Sequence, residues 1–248
     1  MKMKIIVCGK GGCGKSTIST LLARAYAERG KKVLVIDSDE SNFGLHRQLG
    51  LELPRDFIAW FGGKDEFGNR DNSLPVFDRR WTLADIPAEY LATDGSISLM
   101  AIGKIHEAGE GCACSMGTLA RCFLENIDLA KNEVIITDTE AGIEHFGRGV
   151  DRYADIVLVI MDPSYESLKL GEKIDGMGAQ FGRKVFFIIN RANAEQQALV
   201  EKSIHRPEGI IGRIGTDDQI LLDGLKGNPL TTELREITEI VDRLELDA

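Results

Sequence analysis

A glycine-rich turn near the N-terminus constrains the fold of this chain more than any other sequence feature. The turn reads Gly9-Lys10-Gly11-Gly12-Cys13-Gly14-Lys15-Ser16-Thr17. An apolar run precedes it at Lys4–Cys8, and Lys15–Arg29 follows it with apolar residues at helical spacing. Because the turn lies between a predicted strand and a predicted helix, its backbone N–H groups can surround phosphate oxygens at the helix N-terminus. The sequence therefore predicts a phosphate-binding loop.

Two side chains of this loop are expected to act directly on a bound nucleoside triphosphate. Lys15 should reach the β- and γ-phosphates, and the Ser16 hydroxyl should ligate Mg²⁺. The pattern G-x-x-x-x-G-K-[ST] is specific when strand, spacing, lysine and hydroxyl are all present, as they are here. We therefore predict an ATPase that uses ATP, ADP and Mg²⁺, with residues 9–17 binding the nucleotide.

Short runs rich in β-branched residues recur along the chain, and segments with helical spacing separate them. The runs are Lys4–Cys8, Val33–Asp37, Ile97–Ile102, Val134–Asp138, Ile156–Met161, Val185–Asn190 and Ile210–Ile214. Apolar strands that alternate with amphipathic helices predict an α/β fold, a mostly parallel twisted sheet with helices on both faces. With 248 residues, 43% of them hydrophobic, the chain can bury one sizeable core, so we predict a single domain over residues 1–248.

Residues 52–95 differ from the rest of the chain because their periodicity is weak. They are rich in charges and carry the Gly62-Gly63 pair and three prolines, Pro54, Pro75 and Pro87. We interpret them as an irregular insertion of loops and short helices on the main domain. Excursions of this length are usually functional or mobile.

The charge and the cysteine count narrow the functional classes. A formal net charge of -9 makes nucleic acid a poor partner, because binding phosphates needs a basic surface. No apolar run reaches the roughly 18 residues that a membrane span needs. Glycines and Lys10 end the N-terminal apolar run after a few residues, which is typical of a first strand and not of a signal peptide. We therefore expect a cytoplasmic protein. Its five cysteines are then more often buried, catalytic or metal-binding than disulfide-bonded.

Two predicted strands end in aspartates. In a parallel α/β sheet the carboxyl ends of the strands line the ligand crevice. We expect Asp37 to belong to the Mg²⁺ shell, and Asp39 to orient the attacking water. Asp138 also ends an apolar strand, and we expect it to lie near Mg²⁺. Gly142 can turn its N–H toward the γ-phosphate. The alternative, in which these aspartates only cap loops, remains open.

The loop resembles the deviant phosphate loops, Lys-Gly-Gly-x-Gly-Lys-[Ser/Thr], of a family that includes nitrogenase iron protein, MinD-type cell-division regulators and chromosome partition ATPases. This resemblance implies that Lys10 reaches across a homodimer to the partner's ATP. It also implies that Asp39 orients the attacking water. It also implies that Asn190, beside Arg191, bonds to adenine, and that the loop 214–217 closes over the base. A solvated lysine and an ordinary turn asparagine are the alternatives.

Cys112-Ala113-Cys114 precedes a helix that we predict over Met116–Leu129. Thiols at a helix N-terminus have lowered pKa values, which favours metal-binding thiolates. Two thiolates do not complete a tetrahedral site, but a two-fold dimer would bring four together. Such a sulfur set suits Zn²⁺, Ni²⁺, Cu⁺ or an iron–sulfur cluster. Buried structural thiols are the alternative, which fits Cys8 and Cys122 better, and His106 is a weak further ligand candidate.

Two segments, Gly103–Cys114 and Asp138–Gly149, resemble the CooC-type ATPases that assist maturation of carbon monoxide dehydrogenase. The resemblance extends over almost the whole chain and is weakest in residues 52–85. It implies an ATP-dependent homodimer that binds Ni²⁺ or Zn²⁺ through Cys112 and Cys114. It also implies that the protein assists nickel insertion into a client enzyme, carbon monoxide dehydrogenase.

Two other functions remain as alternatives at this point. A MinD- or ParA-like switch would bind a membrane or DNA, but the C-terminal segment Glu233–Ala248 is acidic. An electron-transfer ATPase like nitrogenase iron protein needs a cluster cysteine after the second switch, the segment that follows Asp138 and contains Gly142. No cysteine follows Cys122. The sequence leaves open the metal, the client, the trigger for metal transfer and the role of residues 52–95.

Overall fold

The computed structural model describes residues 1–71, 73–107, 114–143, 146 and 149–247. Within these residues, eight strands form one sheet in the order β3-β4-β2-β5-β1-β6-β7-β8. Their bounds are β1 Met3–Gly9, β2 Lys32–Asp37, β3 Ala92–Asp94, β4 Ile97–Ala101, β5 Glu133–Asp138, β6 Ile156–Met161, β7 Lys184–Ile189 and β8 Ile210–Arg213. All seven predicted runs therefore contain strands, and β3 was not predicted.

The sheet is parallel except at one edge, where β3 runs antiparallel to β4. Strand β1 lies between β5 and β6, and β2 lies between β4 and β5. The strands β1, β2 and β5 therefore end side by side. This arrangement brings the phosphate-binding loop and the strand-end aspartates to one edge of the sheet.

Helices cover both faces of the sheet, as the sequence predicts. They are α1 Lys15–Glu28, α2 Leu45–Leu49, α3 Lys64–Asn69, α4 Cys114–Asn126, α5 Tyr165–Gln180, α6 Ala194–Ser203, α7 Asp218–Lys226 and α8 Arg235–Leu246. Along β2, Val33 and Val35 belong to one buried cluster with α1 and α8, whereas Leu34 and Ile36 belong to the other, with α4. Successive strand residues point to opposite faces, so both faces are buried.

The region 52–95 contains the expected short helices, and it also supplies buried aromatic side chains. Its helices are α3 and the 3₁₀ segments Phe57–Phe61, Leu83–Asp85 and Ala88–Tyr90. The Phe57 ring contacts Trp81 and Tyr90 within the region and Phe123 on α4, with edge-to-face geometry. These rings belong to the core cluster that contains α4. The region is therefore packed onto one face of the sheet.

The C-terminal helix α8 uses its apolar side in the core. Ile237, Ile240, Val241 and Leu244 are buried against the face that α1 also covers. Among the described residues, no helix has both the length and the apolar character needed to cross a membrane.

Candidate functional site

A cleft of about 450 Å³ opens at the carboxyl ends of β1 and β2, where α1 begins. Its lining combines the phosphate-binding loop with polar side chains of the loop after β2: Gly11, Gly12, Gly14, Lys15, Ser16, Thr17, Asp39, Ser41, Asn42, Gln48, Ala141 and Arg191. Backbone N–H groups, a lysine and hydroxyls in one concave surface are suited to an anionic ligand.

The backbone of the phosphate-binding loop requires glycine at its two ends. Gly9 has φ of 145°, and a Cβ there would lie 2.4 Å from the carbonyl oxygen of Ile160. Gly14 has φ of 100°, and a Cβ there would lie 2.3 Å from the amide nitrogen of Asn190. Between them, Cys13 is fully buried, and burial raises the pKa of its thiol to about 11. Cys13 therefore contributes a backbone conformation and an inert thiol.

Ser16 and Asp138, the two residues predicted to lie near Mg²⁺, are in direct contact, and their role as magnesium ligands remains a prediction. The Ser16 hydroxyl donates to Asp138 Oδ2 at 2.6 Å, and Ser19 donates to Oδ1 at 3.2 Å. Asn42 donates its amide N–H to Ser16 Oγ at 2.8 Å. Burial raises the pKa of Asp138 to about 6, against the effect of the Ser16 hydrogen bond and the Lys15 charge. The Asp138 carboxylate and the Ser16 hydroxyl are the kind of hard oxygen atoms that Mg²⁺ prefers.

Asp37 has a different partner, Lys104, which the sequence reasoning missed. The Lys104 ammonium lies 2.6 Å from Asp37 Oδ2, and both side chains are almost fully buried. Burial raises the pKa of Asp37 to about 7, and Lys104 opposes that rise. Lys104 follows β4, which pairs with β2. A lysine close to a predicted strand end was a signal in the sequence, but it did not identify Asp37 as the partner. A direct magnesium contact of Asp37 remains a prediction.

Asp39 and Lys15 line the cleft as predicted. The Asp39 carboxylate accepts hydrogen bonds from the Ser41 N–H at 3.0 Å and the Ser41 hydroxyl at 2.7 Å. The Lys15 ammonium donates to the Lys10 carbonyl at 3.4 Å and is 7% exposed. Their roles, orienting water and holding the β- and γ-phosphates, remain predictions that this placement allows.

Lys10 is bound to its own chain in this structure. Its ammonium lies 2.9 Å from Asp162 Oδ2 and donates to Ser164 Oγ at 3.0 Å. Both partners follow β6, the neighbour of β1. A lysine that acts on a partner's nucleotide would have to leave these two contacts.

The predicted second-switch and base-binding residues are tied to the phosphate-binding loop. The Gly142 N–H donates to the Gly9 carbonyl at 3.2 Å, so a bond to a γ-phosphate would need this contact to open. The Asn190 amide donates to the Cys13 carbonyl at 2.8 Å, and Arg191 donates to the Gly12 carbonyl at 3.0 Å. Asn190 and Arg191 also border a pocket with Thr17, Leu21 and residues 214–217, and their role in binding the base remains a prediction.

Of the two cysteines predicted to bind metal, Cys112 lies outside the described residues. Cys114 is the first residue of α4, which begins two residues before the predicted helix, and it is exposed. The Cys114 sulfur is disulfide-bonded in this structure. Metal binding needs thiolates, so this cysteine must be reduced to act as a ligand. His106 lies 2.9 Å from Asp56 Oδ2. In the described part of the chain, no three His, Cys, Asp or Glu side chains form a group that could hold a metal ion.

Comparison with known proteins shows to which protein family this chain belongs. The family described as the CobQ/CobB/MinD/ParA nucleotide binding domain matches residues 4–230. An uncharacterized ATP-binding protein of Methanocaldococcus jannaschii is 46% identical over 98% of this chain and 99% of its own length. The carbon monoxide dehydrogenase accessory protein CooC of Rhodospirillum rubrum is 34% identical over 73% of this chain and 71% of its length.

The fold has solved counterparts. The septum site-determining protein MinD of Pyrococcus horikoshii, complexed with Mg-ADP, superimposes with a TM-score of 0.69 at 18% identity. The match covers 100% of this chain and 99% of that structure. It confirms the predicted α/β fold with a mostly parallel sheet.

Proposed function

Because the chain belongs to the CobQ/CobB/MinD/ParA family of P-loop ATPases, we propose that it is an ATP-driven metallochaperone of the CooC type. In this proposal it works in the cytoplasm, dimerises with ATP and assists nickel insertion into carbon monoxide dehydrogenase. One observation carries it: an exposed cysteine of a Cys-x-Cys motif begins α4 in a chain that is 34% identical to a CooC protein. In this proposal the metal ion is delivered to the client enzyme, and ATP binding and hydrolysis drive the delivery.

The cleft residues supply the nucleotide chemistry. Lys15 neutralises charge on the β- and γ-phosphates, and the N–H groups of the loop hold their oxygens. Ser16 and Asp138 hold Mg²⁺, which screens the phosphate charge when bound. Asp39 orients the attacking water. Asn190 and Arg191 lie at the pocket that receives the base.

The proposed dimer uses Lys10 in trans. In this structure Asp162 and Ser164 hold the Lys10 ammonium, so dimerisation exchanges these contacts for the phosphates of the partner's ATP. Lys10→Ala should therefore still bind ATP but fail to dimerise with it. Sedimentation of the variant with a non-hydrolysable ATP analogue and Mg²⁺ tests this, and an intact nucleotide-dependent dimer would contradict the role.

The metal site needs two chains. Cys112 and Cys114 provide two thiolates per chain, and a closed tetrahedral site for Ni²⁺ or Zn²⁺ takes about four ligands. A two-fold axis near the motif would supply the second pair. Metal affinity and dimerisation should then strengthen each other, because linkage between two binding equilibria is reciprocal.

The decisive experiment is equilibrium dialysis of the reduced protein with Ni²⁺ or Zn²⁺, with and without a non-hydrolysable ATP analogue. We expect one ion per two chains, tighter binding with nucleotide, and loss of the ion in Cys112→Ser and Cys114→Ser. Cys122→Ser is the matched control, because Cys122 lies on α4 with its side chain buried. One tightly bound ion per monomer, independent of both cysteines, would overturn the proposal.

The alternative is a MinD- or ParA-like switch that acts as a spatial regulator or partition protein. The family description names both MinD and ParA, and the structural match to MinD covers 100% of this chain. Against a membrane role, the apolar side of α8 is buried in the core. Nucleotide-dependent binding to anionic vesicles or DNA, with no cysteine-dependent metal, would favour this alternative.

A further inference from the structure

The Lys104 ammonium is bound to the loop that follows β2. It donates to Asp37 Oδ2 at 2.6 Å and to the carbonyl oxygens of Asp39 and Asn42, both at 2.5 Å. An ammonium group has three hydrogens, and these three acceptors use them all. The side chain is 0% exposed. Lys104 therefore holds the loop that provides Asp39, Ser41 and Asn42 to the nucleotide cleft.

The backbone around Lys104 is bound as firmly as its side chain. Its N–H donates to Asp56 Oδ2 at 3.1 Å, and its carbonyl accepts from the Lys64 ammonium at 2.8 Å. The next N–H, of Ile105, donates to the Glu40 carbonyl at 3.1 Å. Movement of the loop after β2 must therefore either carry the segment at Lys104 with it or break several hydrogen bonds.

The same segment packs against the first turn of α4. A Cβ on Gly103 would lie 2.6 Å from Met116 Sδ and 3.2 Å from Ile58 Cγ2, so no free space separates them. Met116 is buried, and it lies two residues after Cys114 in α4. Close-packed contacts of this kind transmit displacement because protein interiors have low compressibility.

We infer that Lys104 is a positioning residue that links the nucleotide cleft to the cysteine-bearing first turn of α4. Asn42 also donates to Ser16 Oγ at 2.8 Å, so binding of Mg²⁺ and nucleotide at Ser16 disturbs a loop that Lys104 holds. The displacement passes through Gly103 to Met116 and changes the geometry at Cys114. This route runs through the loop after β2. For its effect on metal it rests on the proposed function.

The test compares Zn²⁺ affinity with and without saturating non-hydrolysable ATP analogue and Mg²⁺, in reduced full-length protein. Competition with a chromophoric chelator gives both affinities. In the wild type we expect the analogue to tighten Zn²⁺ binding on the order of 10-fold, within the usual range of coupling between sites. In Lys104→Met the ratio should fall below about twofold, because the loop and α4 are no longer linked.

Two further variants make the test specific. Lys4→Met is the matched control: the Lys4 ammonium also holds two carbonyl oxygens, those of Leu124 and Ile127, at the opposite end of α4. It should keep the wild-type ratio. Met116→Ala removes the contact with Gly103 and leaves the Lys104–Asp37 pair in place, so it should lose the ratio as Lys104→Met does. It carries the test if Lys104→Met does not fold.

A metal-free readout separates failure of this inference from failure of the proposed function. Hydrogen–deuterium exchange of the first turn of α4 should change with nucleotide in the wild type and in Lys4→Met, and stay unchanged in Lys104→Met. If Zn²⁺ does not bind through the cysteines but this exchange pattern holds, only the metallochaperone function fails. A nucleotide response of α4 that persists in Lys104→Met, or its absence from the wild type, would overturn the link.

Discussion

Strands β2 and β5 lie side by side, and each ends in a buried aspartate, Asp37 and Asp138, which the strand register pairs directly. The two carboxylates nevertheless have different partners. Asp138 accepts hydrogen bonds from hydroxyls on α1, whereas Asp37 is paired with the ammonium of Lys104. The partner of a strand-end acid is thus decided by side chains that come from other segments.

The difference has a chemical consequence. Hydroxyl partners leave the negative charge of Asp138 available to an incoming cation, because a hydroxyl can rotate from donor to acceptor. Asp37 already has a cation held by two further carbonyl oxygens. In this structure the acid at the β5 end accepts hydrogen bonds from hydroxyls, whereas the acid at the β2 end helps to hold a loop in place through Lys104.

The largest effect should come from removing the cation at the β2 end. Lys104→Met leaves a buried carboxylate without its ion-pair partner, which typically costs about 3–5 kcal/mol of unfolding free energy. Urea unfolding at pH 8 measures it. Addition of Asp37→Asn should restore most of the loss, and Lys4→Met should cost less, about 2 kcal/mol. A loss below about 1 kcal/mol for Lys104→Met would mean that the pair contributes little.

At the β5 end the main effect should be on nucleotide chemistry. Asp138→Asn removes the charge beside Ser16, so the Mg²⁺-dependent rate of phosphate release should fall by about 10–100-fold. Titration of the rate with Mg²⁺ measures the change. Asp151→Asn, at another buried aspartate, should keep the wild-type magnesium dependence. An unchanged magnesium requirement in Asp138→Asn would remove Asp138 from the site.

Asp151 shows what burial does to a third aspartate, in the short helix Val150–Tyr153. Burial raises its pKa from 3.8 to about 7. Between pH 3.8 and about pH 7 the folded state keeps a proton on Asp151 that the unfolded state releases. The stability that this proton contributes is therefore fully present below pH 3.8 and is lost as the pH rises through about 7. Wild type should therefore lose about 4 kcal/mol relative to Asp151→Asn over this window, measured by urea unfolding. Parallel pH profiles for the two proteins would contradict this.

The smallest effect should come from a single hydroxyl at the β5 end. Ser19→Ala removes one of the two hydroxyl hydrogen bonds to Asp138, for a cost of about 1 kcal/mol in thermal or urea unfolding. Thr20→Val is a neighbouring control, because the Thr20 hydroxyl is buried and has no hydrogen-bond partner in the described part of the chain. It should be neutral or stabilising. Equal losses in the two variants would show that the Asp138 contact contributes nothing.

The sequence predicted the phosphate-binding loop and both strand-end aspartates because their signals are local. The loop pattern occupies consecutive residues, and an apolar run that ends in Asp marks a strand end in a parallel sheet. The Lys104 pair could not be read this way, because it joins residues 67 positions apart through the pairing of β2 with β4. That pairing depends on strand order, which periodicity does not specify.

Residues 52–95 show the same limit on a larger scale. Short helices were predicted there, but the aromatic side chains of the region lie at irregular spacing and reveal no common face in the sequence. They meet only because Phe57, Trp81 and Tyr90 fold back toward Phe123 on α4. The added strand β3 was missed for a related reason, since its three residues are too few to show alternation.

That short strand has a consequence for how the protein behaves while it is being made. Parallel sheets form slowly from distant segments, and an open edge can recruit a strand of another chain before folding is complete. Strand β3 ends the sheet with three residues, and its Thr93 and Asp94 side chains are exposed. A polar edge of this length offers a poor template for edge-to-edge aggregation. Copies of the chain are thus steered to associate through surfaces other than this edge.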